Sequence, residues 1–267
     1  MKSIRASENL ICYSPKPKHG EEYLNLLEAW EFCFDRISKS DFVVFLAGVS
    51  SPDVCKDQSE IARAINVDGT QRFISRFIER KANVLFFSSD VVNGESPQSR
   101  DENYLGVPIG EYAVMKSEIE KSFWGNPHFK VFRLSYVFSK DDKFSKYLRE
   151  CSKRGETADV YNGMSRNVIY LHDVLDAVHA LSNKFKQFSN TAFNLSGPEL
   201  LSRKQLAEYY RELVSGKLEY KISEPPADFY YARPRVIATH SLFLEELLGR
   251  PATKIAEAML REFPIVN

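Results

Sequence analysis

Two hydrophobic patterns alternate along the first half of the chain, and together they define its elements. Short unbroken apolar runs at Phe42–Leu46 and Val84–Phe87 have the length and composition of parallel strands buried on both faces. Between them, from Ser59 to Arg80, apolar residues recur at helical spacing (Ile61, Ile65, Phe73, Phe77). A helix over 110–121 and a strand over Lys130–Ser135 follow. Nearer the amino terminus, Leu10–Ser14 reads as a strand stopped by Pro15 and Pro17. Tyr23–Leu27 reads as another strand and Glu28–Lys39 as a helix. Strands alternating with helices require crossover connections, so the expected fold class is α/β with a doubly wound parallel sheet.

Past residue 140 the rhythm loosens. Helices are expected over Phe144–Arg154, Asp173–Asn183 (with Asp173 as N-cap), Arg203–Leu213 (capped by Ser202), Ser241–Leu248 and Thr253–Phe263. Asn167–Leu171 and Thr191–Leu195 read as strands, and Ser223–Asp228 as the one linker-like passage. The division that follows is interleaved. Residues 1–140 and 164–195 form the first domain, and 141–163 and 196–267 a smaller second lobe.

Composition narrows the function classes. The 36 Lys and Arg balance the 36 Asp and Glu, so no net field favours nucleic acid or an anionic membrane. No apolar run approaches the roughly 20 residues that span a bilayer, and the polar start Met1–Glu8 is unlike a signal peptide. Cys12, Cys33, Cys55 and Cys151 are scattered and read as reduced thiols of a cytoplasmic protein. The five histidines show no metal-ligand spacing.

Candidate chemistry centres on Tyr112 and Lys116. Four residues apart on a helix, they share a face. A nearby ammonium favours the phenolate and is expected to lower the phenol pKa from about 10 toward the range of a general acid–base. Ser89, at the carboxyl end of its strand, could hold the substrate oxygen that gains or loses the proton. A chance Tyr–Lys pair on an ordinary helix face is the structural alternative.

The motifs, taken in order, resemble the extended short-chain dehydrogenase/reductase family. They are Asp41–Gly48, Asn66-Val-Asp-Gly-Thr70, Phe87-Ser-Ser-Asp90 with Tyr112-x-x-x-Lys116, Arg133–Phe138 and Arg166–Asp173. Ser-Ser-Asp90-Val, Arg133–Phe138, Arg233-Pro234 and Leu247–Gly249 are similar to the sugar-nucleotide branch that includes dTDP-4-dehydrorhamnose reductase. Val91 after Asp90 departs from the Asp-Glu of the dehydratases.

The resemblance implies a Rossmann-like nucleotide-binding domain with a C-terminal substrate lobe. It further implies NADP or NAD as cofactor and a nucleotide sugar as substrate. The catalytic set would be Ser89, Tyr112 and Lys116. Leu46, Ala47, Gly48, Asn66, Ser88 and Ser135, with Tyr112 and Lys116, would line the cofactor. Asp90, Tyr136 and Arg166 would face the substrate. The implied reaction is reduction of the keto group of a nucleotide-activated deoxysugar for surface-polysaccharide precursors, with epimerisation as the rival. For Asn66 a helix-capping or interhelical hydrogen bond is the competing role, for Asp90 a solvated turn, and for Arg166 a surface cation. Tyr136 could stack on a base or fill the lobe interface. The oligomeric state is left open, with a homodimer as the candidate.

The pattern breaks at the amino terminus. Family members begin with a strand, a Gly-rich turn and a helix that receives the cofactor pyrophosphate. Here Gly20 is the one glycine before Gly48, and Leu10–Ser14 resembles the family's second strand. One βα unit, about 30 residues, is therefore expected to be missing or rewired. Two or three charge-assisted amide bonds of roughly 1.5–3 kcal/mol each would be lost, with up to ~2 kcal/mol from the helix dipole. Half that total weakens binding by on the order of 100-fold or more. Three readings stay open: a sequence starting downstream of the true start, a rewired enzyme with weak cofactor binding, or a non-catalytic nucleotide-binding regulatory relative. Lys16 and Lys18, in the loop after the second strand, suit a 2′-phosphate and so NADP, unless they are solvated loop cations.

Overall fold

The computed structural model describes residues 10–226 and 228–263; the polar start Met1–Glu8 lies outside them. The first elements are β1 (Cys12–Ser14), β2 (Glu21–Tyr23) and β3 (Phe42–Phe45). Then come α1 (Pro52–Asp57), α2 (Ser59–Arg63), a π-turn over Ala64–Gly69, α3 (Thr70–Glu79), β4 (Asn83–Ser89), β5 (Ser96–Arg100), α4 (Glu111–Phe123) and β6 (Phe129–Leu134). The middle of the chain holds β7 (Val137–Phe138), α5 (Lys143–Arg154), β8 (Ala158–Tyr161), β9 (Ser165–Asn167), β10 (Ile169–Tyr170), α6 (Leu171–Lys184) and β11 (Ala192–Leu195). The last elements are β12 (Leu200–Ser202), α7 (Arg203–Leu213), β13 (Tyr220–Ser223), β14 (Val236–Thr239), α8 (Leu244–Leu248) and α9 (Ile255–Glu262).

The central sheet is parallel throughout, in the order β11-β6-β4-β3. Its alternating side chains fill two separate cores. Val84, Phe86, Phe129 and Val131 point to a cluster shared with α3 and α4, while Leu85, Phe132 and Leu195 point to one shared with α6 and α8. Helices on both faces are what make these strands apolar on both sides. A third cluster joins α5, β8, α7 and α9.

β1 and β2 form a parallel pair of their own. β3 is hydrogen-bonded to β4, and β1 does not pair with its other edge, so Leu10–Ser14 does not fill the place of a missing strand. The β1–β2 pair is tied to the rest through aromatic rings. Tyr13 meets Phe32 edge-on at 5.4 Å, and Phe32 meets Phe73 of α3 at 5.5 Å.

That contact explains two departures from expectation. Glu28–Lys39 is not an α-helix but two 3-10 turns, Ala29–Glu31 and Phe34–Arg36. Phe32 and Phe34 both pack on Phe73, and residues two apart on an α-helix cannot share a face. The second strand sits at Glu21–Tyr23 rather than Tyr23–Leu27 because Leu26 turns in against Gly69. Asp173 is also not a cap. α6 starts at Leu171, and Asp173 is fully buried, accepting from the Thr253 amide (2.7 Å) and hydroxyl (2.9 Å). Ser202 does cap α7, with Gln205 completing a capping box.

A Cβ on Gly69 would lie 2.5 Å from the Leu26 carbonyl oxygen. Gly69→Val is therefore expected to destabilise the protein by about 1–3 kcal/mol, read as a lower urea midpoint at unchanged m-value. An unchanged midpoint would show that the Leu24–Ile37 segment does not seat on α3.

Candidate functional site

The site is built where β4 ends. Ser89 closes the strand, and its hydroxyl caps the short turn Asp90–Asn93, accepting from the Val91 amide (3.5 Å) and donating to Asp90 Oδ1 (3.3 Å). Asp90 is buried. Its Oδ2 accepts from the Ser135 hydroxyl (2.9 Å) and faces Arg166 Nε at 3.7 Å. Burial pushes the Asp90 carboxyl above the usual carboxylate range, against the opposing pull of Arg166 and the hydroxyls. Asp90 is thus no solvated turn residue, and Arg166 is no free surface cation. Arg166 also donates to the carbonyls of Ser165 (2.8 Å), Arg235 (3.2 Å) and Pro234 (2.6 Å).

α4 supplies Tyr112 and Lys116. Its N-cap, Gly110, has φ +85°, and a Cβ there would come within 3.1 Å of Ala232, so the late loop packs on the start of this helix. Lys116 is buried and donates from Nζ to the Phe87 carbonyl (2.8 Å) above the Phe86 ring. Desolvation lowers its pKa to about 8, with Glu120 and Cys55 acting in the opposite direction. The ammonium stands 5.8 Å from the centre of the Tyr112 ring.

The phenol does not respond as the sequence suggested. Burial, reinforced by Cys55 and Asp90, raises the Tyr112 pKa to about 12. Lys116 directs its hydrogen bond to the strand carbonyl, so desolvation outweighs the attraction expected from the i, i+4 pair. Tyr112 is therefore a neutral phenol at neutral pH and, without a ligand, a weaker acid than free tyrosine.

The residues expected at the cofactor lie on and beside the end of β3. Leu46 and Gly48 are exposed and Ala47 is half-buried. Asn66, buried in the π-turn, clamps Val49 through both ends of its amide: Oδ1 accepts from Val49 N (2.7 Å) and Nδ2 donates to Val49 O (2.9 Å). A Cβ on Gly48, at φ +147°, would lie 2.8 Å from Asn66 Oδ1. Asn66 thus holds the loop that follows β3 and shapes the strand end. The Ser88 hydroxyl is buried without a partner.

Two cavities adjoin here. The first, about 200 Å³, is lined by Ser89, Asp90, Ser135, Tyr136, Arg166 and Arg203 among others. The second, about 190 Å³, is lined by Tyr112, Ile109, Arg233 and Pro52 among others. Met164 and Arg166 border both. Ser89 and Tyr112 thus open on neighbouring compartments, while Lys116, Asn66, Ser88 and Leu46–Gly48 border neither. Arg203 was legible only as a helix start, and Arg233 only as part of a motif; a lone arginine carries no periodic signal. Arg233 pairs with Asp53 of α1 at 2.5 Å.

A family model for the RmlD substrate binding domain matches residues 24–221. The chain belongs to that family. No curated protein sequence matches it. Among solved structures it resembles MoeE5 in complex with UDP-glucuronic acid and NAD, at 19% identity and TM-score 0.78, covering 98% of this chain and 92% of that one. A hypothetical dTDP-4-dehydrorhamnose reductase from Sulfolobus tokodaii is similar at 19% identity and TM-score 0.78, over 93% and 89%. UDP-glucose 4-epimerase from Thermotoga maritima, with UDP-glucose, is similar at 18% identity and TM-score 0.77, over 98% and 92%. These likenesses establish the α/β fold.

The depressed Lys116 has a thermodynamic signature. The unfolded lysine binds its proton up to about pH 10.5 and the folded one only to about pH 8. Across that window the unfolded state holds more protons, so stability rises with pH. Relative to Lys116→Met, the wild type should gain about 2 kcal/mol between pH 7 and pH 10 in denaturant titrations. Parallel pH profiles for the two proteins would place the ammonium in water.

Proposed function

We propose that this protein is an NAD(P)-dependent reductase of the keto group of a nucleotide-activated deoxysugar, serving polysaccharide precursor synthesis. The reading rests on one observation: a phenol held protonated opens on a cavity that shares a wall with the Ser89 compartment. Reduction of a carbonyl ends with a proton on its oxygen, and Tyr112 is in the state to give one. Its hydroxyl has no hydrogen-bond partner among the described residues, which leaves it available to a ligand.

In this reading Ser89 orients the substrate oxygen, Tyr112 delivers the proton, and Arg166 and Arg233 present positive charge to the substrate phosphates. Lys116 fixes α4 on the end of β4 and so places Tyr112. A bound nicotinamide dinucleotide supplies the hydride. The chain fits one part of that group: Leu46 and Gly48 leave the strand end exposed, and Gly48 has no side chain to obstruct a flat ligand. No glycine-rich turn that would cradle the pyrophosphate is present among the described residues. Among the described residues Gly20, in the turn between β1 and β2, is the one glycine before Gly48.

Lys16 and Lys18 in that turn support NADP over NAD, and the interleaved division into a nucleotide-binding domain and a substrate lobe goes with the same reading. A second reading is a non-catalytic relative that binds the nucleotide sugar alone: Ser89, Asp90 and Arg166 border a cavity, whereas Leu46, Gly48 and Asn66 border neither of the two.

Oxidation of NADPH in the presence of a dTDP-4-keto-6-deoxy sugar, followed by absorbance, separates the two. Reductase activity is expected, with kcat lowered about 10²–10⁴-fold in Tyr112→Phe. Sugar-nucleotide binding by calorimetry with no dinucleotide binding at millimolar concentration would establish the second reading instead.

A further inference from the structure

Among the described residues, Arg203 is the one charged group of the first cavity that no acidic side chain balances. Its guanidinium carbon lies 4.3 Å from the Tyr136 ring centre and 4.5 Å from that of Phe144, so two aromatic rings hold it. Its Nη1 is buried and makes no hydrogen bond, and among the described residues the side chain has no ion pair. A buried guanidinium N–H left unmade is costly, and such groups ordinarily find an acceptor.

The nearby carboxylates are committed elsewhere. Asp142 accepts the Tyr136 hydroxyl, the Phe144 and Ser145 amides (2.8 and 3.1 Å) and the Ser145 hydroxyl (2.6 Å), capping α5. Asp90 is held by Ser89, Ser135 and Arg166. Arg166, the other cation of the cavity, has both terminal nitrogens on backbone carbonyls. Two guanidiniums therefore face one carboxylate, and Arg203 has the spare donor.

We propose that Arg203 makes the first cavity an anion subsite, donating to an oxygen of a phosphate or carboxylate group of the ligand. Contact with the two rings restrains the guanidinium, so little ordering is left to lose when it meets an anion. The inference deepens the nucleotide-sugar reading and rests on it for the ligand class, but the subsite itself stands on the cavity and its unpaired charge. A ligand phosphate and a sugar carboxylate offer the same oxygen chemistry, and the test distinguishes them.

Calorimetric titration of the full chain with UDP-glucose, UDP-glucuronic acid and inorganic pyrophosphate, at low and high salt, reads the subsite. In Arg203→Met, binding is expected to weaken at least 10-fold and its salt dependence to flatten. Equal weakening for both sugar nucleotides identifies a phosphate; weakening confined to UDP-glucuronic acid identifies the carboxylate. Arg203→Lys keeps a charge but loses the planar fork, and intermediate affinity is expected. Wild-type binding of pyrophosphate alone, lost in Arg203→Met, would support the subsite while overturning the nucleotide-sugar reading. Sugar-nucleotide binding unchanged in Arg203→Met at both salt levels would overturn the subsite and leave that reading intact. Should the Arg203→Met variant fail to fold, a wild type whose Tm does not rise with pyrophosphate or either sugar nucleotide would overturn it equally.

Discussion

A buried ammonium bonded to a strand carbonyl sets the geometry of this site. Lys116 has little water around it, and its hydrogen bond to Phe87 ties the middle of α4 to the last residues of β4. An amine so desolvated is held at the edge of neutrality, and its partner is backbone rather than a carboxylate. The tie cannot slide without leaving a polar group unmet in the core. Tyr112, one turn earlier on the same helix, inherits its position from that bond. Asp90 and Ser89, on the turn that follows the same strand, inherit theirs from the other side of the junction.

Much of this was legible in the sequence because it rests on short-range pattern. The unbroken run Val84–Phe87 announces a strand buried on both faces, and Tyr112 and Lys116 announce a shared helical face. The sign of the phenol's shift was not legible, since it depends on where the Lys116 hydrogens go and on how much water remains. The two 3-10 turns around Phe32 and Phe34 were hidden for a related reason. Each ring looks helix-compatible alone, and only their common target, Phe73, requires the extended spacing between them. β5 and β14 are polar or short, and they pair across more than a hundred residues, a register that no local pattern encodes. Asp173 has the composition of a cap but is drawn inward by Thr253 and Arg250, both distant in the chain.

The chain's departure from its family's pattern has a structural counterpart. Among the described residues β3 is bonded on one side, and β1 is bonded to β2 instead of to β3. The strand is four residues long, which limits the row of backbone groups left without a ladder partner. The aromatic bridge from Tyr13 through Phe32 to Phe73 does by side-chain packing what ladder hydrogen bonds would do in a continuous sheet. It keeps β1 and β2 attached to the core of α3.

The partition between the two cavities is made of unlike parts. Arg166 is pinned by three carbonyls and a carboxylate, whereas Met164 is an unbranched thioether with three rotatable bonds. Of the two side chains that border both cavities, the methionine is the one with no polar group to anchor it. The wall between the chambers is thus part rigid and part adaptable, and adjustment to a ligand falls to a side chain while the backbone carbonyls stay bonded.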